Sequence, residues 1–128
     1  EALDLLHVDR IDHGNRCMED SSLVARIASA GLTLTVCPLS NLALRVVRDL
    51  KKHPLRKMMA AGLKVTINSD DPAYFGGYLN QNYIETAQAL GLSRDEIITC
   101  AKNSFTGSFL PADEVAKHLS DIEVYCFS

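Results

Sequence analysis

Tryptophan is absent from this 128-residue sequence, and aromatic residues of all kinds make up only 6% of it. Surfaces that stack sugars or single-stranded bases use more aromatic side chains than this, so we expect neither kind of binding surface. Positive charge is also scarce, since 13 lysines and arginines stand against 16 acidic residues and the formal net charge is -3. Binding to nucleic acid or to an anionic membrane requires a basic surface, and we therefore expect neither partner.

Long apolar runs are missing too, because no stretch approaches the roughly 20 residues of a membrane-spanning helix. The opening stretch, EALDLLHVDR, carries acids and a histidine where a signal peptide would have a basic end and an apolar core. The four cysteines form no C-x-x-C pair, which favours reduced thiols in a cytoplasmic protein. The lack of a starting methionine suggests a piece of a longer protein.

Several chemical signatures are absent as well. Neither G-x-G-x-x-G nor G-x-x-x-x-G-K occurs, so a cradle for nucleotide phosphates has no support. The sequence also lacks H-E-x-x-H and the H-x-E with P-C-x-x-C pattern of one class of zinc deaminases. A nucleophilic triad built on Ser40 or Ser69 has no base placed beside either hydroxyl.

What the sequence does contain is a repeated layout of apolar strand, polar residues and helix. Strands are predicted over residues 6–11, 32–37 and 63–68, beginning about 26 and about 31 residues apart. One helix begins near Ser21, with Asp20 as its N-cap and Gly31 past its end, and another covers about 54–62. Residues around Ser40 and Asn41 are predicted to be irregular.

Helices without intervening strands follow this part of the chain. One is predicted over 79–90 and ends at Gly91, and the next opens with a capping box formed by Ser93 and Glu96. A last helical turn or two is expected over 111–119, and residues 122–128 remain unassigned.

The spacing of the strands is close to one eighth of a (β/α)₈ barrel of roughly 250 residues. Alternation of this kind implies parallel strands joined by right-handed crossovers. Three units cannot close a barrel, so we predict an α/β fold that is an incomplete TIM barrel, with the missing strands upstream and no second domain within 1–128.

Polar residues gather where the predicted strands end, which is where barrels and open parallel sheets place their chemistry. Asp70 and Asp71 could be a helix cap beside a solvated acid, or a metal ligand beside a substrate acceptor. His13, between Asp12 and Gly14, could be structural or could enter a pocket.

Other histidines lack such a setting. His53, before Pro54, is expected at a helix entry, and His118 is expected on the surface.

The order of RIDHG, TVCPLSN, HPLRKMMAAGLKVTINSDDPAYFGGY and NSF with SFLP resembles the C-terminal part of the adenosine/adenine deaminase family of metal-dependent amidohydrolases. The stretches CPLSN, LRVV, HPLR and NSDDPAYFGGY most resemble the adenine deaminase branch. The resemblance covers about residues 6–110.

This resemblance implies strands six to eight and the terminal helices of a (β/α)₈ barrel that binds one catalytic zinc. Asp70, at the end of strand eight, would be a zinc ligand, and Asp71 would hydrogen-bond the imidazole-side nitrogen of the purine. His13, at the end of strand six, would assist the metal-bound water. The implied reaction is hydrolytic deamination of adenine to hypoxanthine and ammonia in purine salvage.

Two alternatives remain open: an adenosine deaminase, and a non-catalytic barrel fragment acting as a binding or scaffold module. The family's other ligands, an H-x-H pair and a further His, and its Glu proton donor have no counterpart in this chain. A catalytic zinc needs about three protein ligands plus water, so the isolated chain is predicted to be inactive and metal-free. Its exposed strand edges predict aggregation, homo-oligomerisation or association with the missing N-terminal half.

Overall fold

The computed structural model describes residues 1–127 and shows a parallel three-stranded sheet with helices around it. Its strands are Arg10–Asp12 (β1), Thr33–Val36 (β2) and Lys64–Ile67 (β3), paired in the order β1-β2-β3. The helices are Ser21–Ala30 (α1), Pro38–Ala43 (α2), Leu55–Ala60 (α3), Pro72–Phe75 (α4), Leu79–Leu90 (α5), Arg94–Thr106 (α6) and Ala112–Phe127 (α7). Because all the strands are parallel, their carboxyl ends meet at one edge of the sheet.

The first strand begins later than predicted. The pattern predicts a strand from residue 6, but only Arg10–Asp12 pairs with β2. His7 has a left-handed backbone with φ 48°, which interrupts an extended chain, and the Leu6 side chain is 72% exposed. The predicted start of this strand is therefore wrong, although the strand still leads directly into His13.

The other two strands lie where the sequence predicts them, each slightly shorter at both ends. Their apolar side chains are almost completely buried and form the centre of the core with α1 and α3. Residues buried in this core include Ile27, Leu34, Val36, Leu55, Met58, Val65 and Ile67.

Helix ends with a capping signal in the sequence are also confirmed. The Asp20 side chain accepts hydrogen bonds from two backbone amides at the start of α1, and Gly31 ends the helix in a left-handed conformation. The α5 helix ends at Gly91, and both hydrogen bonds of the capping box between Ser93 and Glu96 are present in α6.

Two segments are more helical than predicted. Ser40 and Asn41 lie in α2 instead of an irregular stretch, because Pro38 has the backbone angle that suits a first helical position. The last helix continues through Phe127, well beyond the predicted 111–119, and Ser128 lies outside the described residues. His118, predicted to be on the surface, lies on this helix and stacks on Phe105 with 4.5 Å between ring centroids.

No helix within residues 1–127 combines the length and the apolar character that crossing a membrane would require.

Candidate active site

Polar side chains from all three strand ends line one open cleft of about 490 Å³. Asp12 and His13 follow β1, Cys37 follows β2, and Asp70 follows β3. The cleft is lined by Arg10, Asp12, His13, Thr35, Cys37, Asn68, Ser69, Asp70 and Leu79. The structure therefore brings together two of the three residues predicted to be functional, His13 and Asp70.

His13 occupies a strained position at the end of β1. Its backbone is left-handed, with φ 62°, and its amide donates to the Thr35 carbonyl at 2.9 Å, which extends the pairing with β2. Its Nδ1 atom is buried and has no hydrogen-bond partner within residues 1–127. Gly14 follows because a side chain there would collide with Leu34, at 2.6 Å from its Cδ2 atom. An unpartnered buried nitrogen in a cleft is a typical feature of a functional site.

The Asp70 carboxylate is held by a residue of α2, the helix that follows the neighbouring strand β2. Its backbone is also left-handed, with φ 58°, and its Oδ2 atom accepts a 2.6 Å hydrogen bond from the Ser40 hydroxyl. Ser40 is fully buried on α2, so it fixes the orientation of a carboxylate that is itself exposed. The sequence places Ser40 after the second predicted strand, in an irregular stretch, and gives no local signal for its hydrogen bond to Asp70 after the third.

Three potential metal ligands meet at this edge of the sheet. One ligand atom each from His13, Cys37 and Asp70 lies within 4.8 Å of the other two. Nitrogen, sulfur and carboxylate oxygen are the donors that zinc uses in proteins. The unpartnered Nδ1 atom of His13 and this donor set are compatible with a zinc ion beside Asp70.

Cys37 is the least available of these donors. Burial, followed by the negative charges of Asp70 and Asp12, raises the pKa of its thiol to about 12. The thiol is therefore protonated at neutral pH, and it contacts the Thr35 carbonyl oxygen at 3.6 Å. All four cysteines of the chain are free, as the sequence predicts.

Asp12 contributes a negative charge to the same cleft. The Thr35 hydroxyl donates to its Oδ1 atom at 2.7 Å, and the Arg10 guanidinium lies 3.3 Å from the same oxygen. The hydrogen bond from Thr35 lowers the pKa of this carboxyl most, with smaller contributions from Arg10 and His13. Asp12 is therefore ionised at neutral pH, next to His13 in the chain.

Asp71 has a different local role from Asp70. Its side chain caps α4, with Oδ1 accepting from the Tyr74 amide at 3.2 Å, and it does not line the cleft. The structure thus realises the helix-capping alternative for this acid. Only one of its two oxygens is used by the cap, so its role toward a substrate stays a prediction.

A network of polar side chains connects α2 to the start of α3. The Asn41 Oδ1 atom accepts from Asn15 at 2.5 Å and lies 3.0 Å from His53 Nε2. The Leu55 amide donates to His53 Nδ1 at 3.1 Å, so His53 stands at the start of α3, as predicted. The imidazole therefore carries its proton on Nε2. Burial lowers the pKa of His53 to about 4.

The folded chain should lose stability when His53 becomes protonated. Its pKa is about 6.5 when unfolded and about 4 when folded, so the stabilising neutral form is fully present above pH 6.5 and is lost as the pH falls toward 4. The shift corresponds to roughly 3 kcal/mol. Between pH 7.5 and pH 4 we expect the free energy of unfolding, measured by urea denaturation, to fall by about this amount more than in a variant without this imidazole, because carboxyls such as Asp20 and Glu96 also lose stabilising charge near pH 4.

The matched control is His53→Gln, whose amide can still donate to Asn41 but does not titrate. This variant should show a clearly smaller fall over the same pH range. An identical pH dependence in both proteins would contradict the assignment to His53.

Parallel strands with helices between them thus carry a donor set suited to a metal at their carboxyl ends. Residues 1–125 match the adenosine deaminase family model, and the chain belongs to that family. The chain is 64% identical over 125 residues to an adenine deaminase from Sphingopyxis alaskensis, covering 98% of this chain and 37% of that protein. It is 61% identical to an adenine deaminase from Caulobacter vibrioides, with coverage of 98% and 36%.

Solved structures give the same relationship. The adenine deaminase from Arthrobacter aurescens superposes with a TM-score of 0.96 and 48% identity, over 100% of this chain and 39% of that one. A zinc-bound amidohydrolase from Burkholderia ambifaria gives a TM-score of 0.83 and 30% identity, over 96% and 36%. The chain thus spans a little over a third of the length of these relatives and corresponds to part of their fold.

Proposed function

We propose that the whole protein carrying this chain is a zinc-dependent adenine deaminase of purine salvage, acting in the cytoplasm. The reaction is adenine plus water to hypoxanthine plus ammonia. The observation that carries the proposal is the convergence of His13 and Asp70 at the strand ends, in a chain 64% identical to an adenine deaminase. On this proposal the chain forms strands six to eight and the terminal helices of the barrel.

Asp70 would supply one zinc ligand. Ser40 holds Oδ2, which orients the carboxylate toward the cleft and leaves its other oxygen free of side-chain hydrogen bonds from the described residues. The remaining ligands would come from the rest of the protein, and the isolated chain is still predicted to be inactive and metal-free. Zinc, when bound, lowers the pKa of a coordinated water toward neutrality.

His13 would move the proton that the reaction displaces. Its unpartnered Nδ1 shows that no protein group within residues 1–127 already uses that position. His13 would therefore accept a proton from the attacking water and pass it to the C6 amino group, so that the C6–N bond breaks and the amino group leaves as ammonia.

Asp71 would orient the purine ring. Its capping bond to the Tyr74 amide fixes the carboxylate at the start of α4 through Oδ1. The second oxygen can then accept a hydrogen bond from a protonated imidazole-side nitrogen of adenine. In this proposal the helix cap positions the substrate acceptor, so both interpretations of Asp71 hold at once.

The substrate is tested by steady-state kinetics of the whole, zinc-loaded protein with adenine and with adenosine. We expect kcat/KM to be higher for adenine, with one ammonia released for each hypoxanthine formed. Faster turnover of adenosine would support the adenosine deaminase alternative. Absence of turnover with either purine would support a non-catalytic binding or scaffold module.

A further inference from the structure

Asn82 is a completely buried amide on α5 that makes contacts in two directions. Its Oδ1 atom accepts from the Leu39 backbone amide at 3.2 Å. Its Nδ2 atom donates to the Gly77 carbonyl at 2.8 Å and to the Tyr78 carbonyl at 3.3 Å. Every hydrogen-bonding group of this side chain therefore joins α5 to another part of the backbone.

The first of these contacts anchors α2. This helix has only six residues, and its N-cap residue, Cys37, provides no side-chain hydrogen bond. A helix this short depends on tertiary contacts, and its first amides need partners from elsewhere. Asn82 supplies one to Leu39, the residue immediately before Ser40, whose hydroxyl holds Asp70.

The second contact anchors the loop between α4 and α5. Gly76 and Gly77 both have a positive φ, of 72° and 76°. A Cβ at Gly77 would overlap the Leu39 side chain, whereas a Cβ at Gly76 would meet nothing within 4 Å. The loop therefore lies directly against α2 at Gly77, and Asn82 contacts both partners at this junction.

We propose that Asn82 is a positioning residue, which acts through Leu39 and Ser40 to hold Asp70 in its metal-binding orientation. This inference rests on the proposed function, because it assumes a zinc ion at Asp70. Neither Asn82 nor Leu39 has an assigned part in the reaction. The structure couples them to Asp70 by two hydrogen bonds at neighbouring residues: the Leu39 amide donates to Asn82 in a buried bond, and the Ser40 hydroxyl donates to Asp70 in a partly buried one.

The test measures zinc affinity of the whole protein by competition with a chromogenic chelator. Asn82→Ala should raise the zinc Kd by about 10-fold or more, the usual effect of losing a group that orients a metal ligand. Excess zinc should restore kcat, because the defect is in metal occupancy. Thr86→Val is the matched control, since Thr86 is fully buried on the same helix and its hydroxyl has no partner within residues 1–127.

A double-mutant cycle separates positioning from general destabilisation. Ser40→Ala should raise the zinc Kd about 10-fold in the wild-type background and clearly less when Asn82 is already alanine. Effects that simply multiply, or a Kd in Asn82→Ala equal to that of Thr86→Val, would overturn the proposal.

If Asn82→Ala does not fold, alanine variants of Gly76 and Gly77 test the proposal instead. Gly77→Ala disturbs the contact with Leu39, whereas Gly76→Ala also places a side chain at a positive φ but without that contact. We expect a weaker zinc affinity for Gly77→Ala than for Gly76→Ala, and equal affinities would overturn the proposal. A wild-type protein that binds no zinc would instead refute the proposed function.

Discussion

Asp70→Ala in the whole protein should weaken zinc binding by more than 100-fold and abolish adenine turnover with it. Loss of a group that merely supports a metal ligand typically costs about 10–100-fold in affinity, and loss of the ligand itself should exceed that. Asp70 also has a left-handed backbone at the end of β3, with φ 58°, and its carboxylate is oriented by the hydrogen bond from Ser40. Zinc content and chelator competition measure the effect directly.

The control for this variant is Asp20→Asn, which changes an exposed carboxylate that does not line the cleft. Asparagine is as good an N-cap as aspartate, so α1 should keep its start and zinc binding should stay at the wild-type level. Stoichiometric zinc in Asp70→Ala would show that the carboxylate is not a ligand.

His13→Gln is expected to lower kcat for adenine by roughly 10²–10⁴-fold, the range for loss of a general acid–base group. Zinc content should stay close to that of the wild type, because His13 is proposed to move a proton and not to bind the metal. Steady-state kinetics and metal analysis of the same preparation separate these two quantities.

His118→Gln serves as the comparison, since His118 lies on α7, outside the cleft, and stacks on Phe105 of α6. It should retain kcat. A His13→Gln protein with near-normal kcat would contradict the catalytic role, and one that has lost its zinc would make His13 a ligand.

Local signals in the sequence predict much of this fold because their causes are local. Asp20, Gly31 and the Ser93–Glu96 pair act within one helical turn, so α1 and the start of α6 agree with the prediction. The start of β1 does not, because apolar residues near Leu6 resemble a strand while the backbone at His7 turns away from the sheet. The start of β1 is set by its pairing with β2, which involves residues more than 20 positions away and leaves no local signal in the sequence.

The candidate site also has one part that the sequence predicts and another that depends on tertiary packing. His13 and Asp70 could be placed together in advance, because carboxyl ends of parallel strands share one edge. The hydrogen bond from Ser40 and the proximity of Cys37 depend on how α2 packs, and α2 depends on Asn82, 43 residues beyond Leu39. The cap at Asp71 was open to both interpretations, since an acid before Pro72 suits a helix start and a binding site equally well.

On the proposed function, this chain contributes a zinc ligand and a proton-transfer group to an adenine deaminase. The most direct measurement is the rate of hypoxanthine formation by the whole protein before metal removal, after it, and after adding one equivalent of zinc. We expect activity to disappear with the metal and to return with zinc. A metal-free protein that keeps the untreated rate, or a zinc-loaded protein that releases no ammonia from adenine, would contradict it.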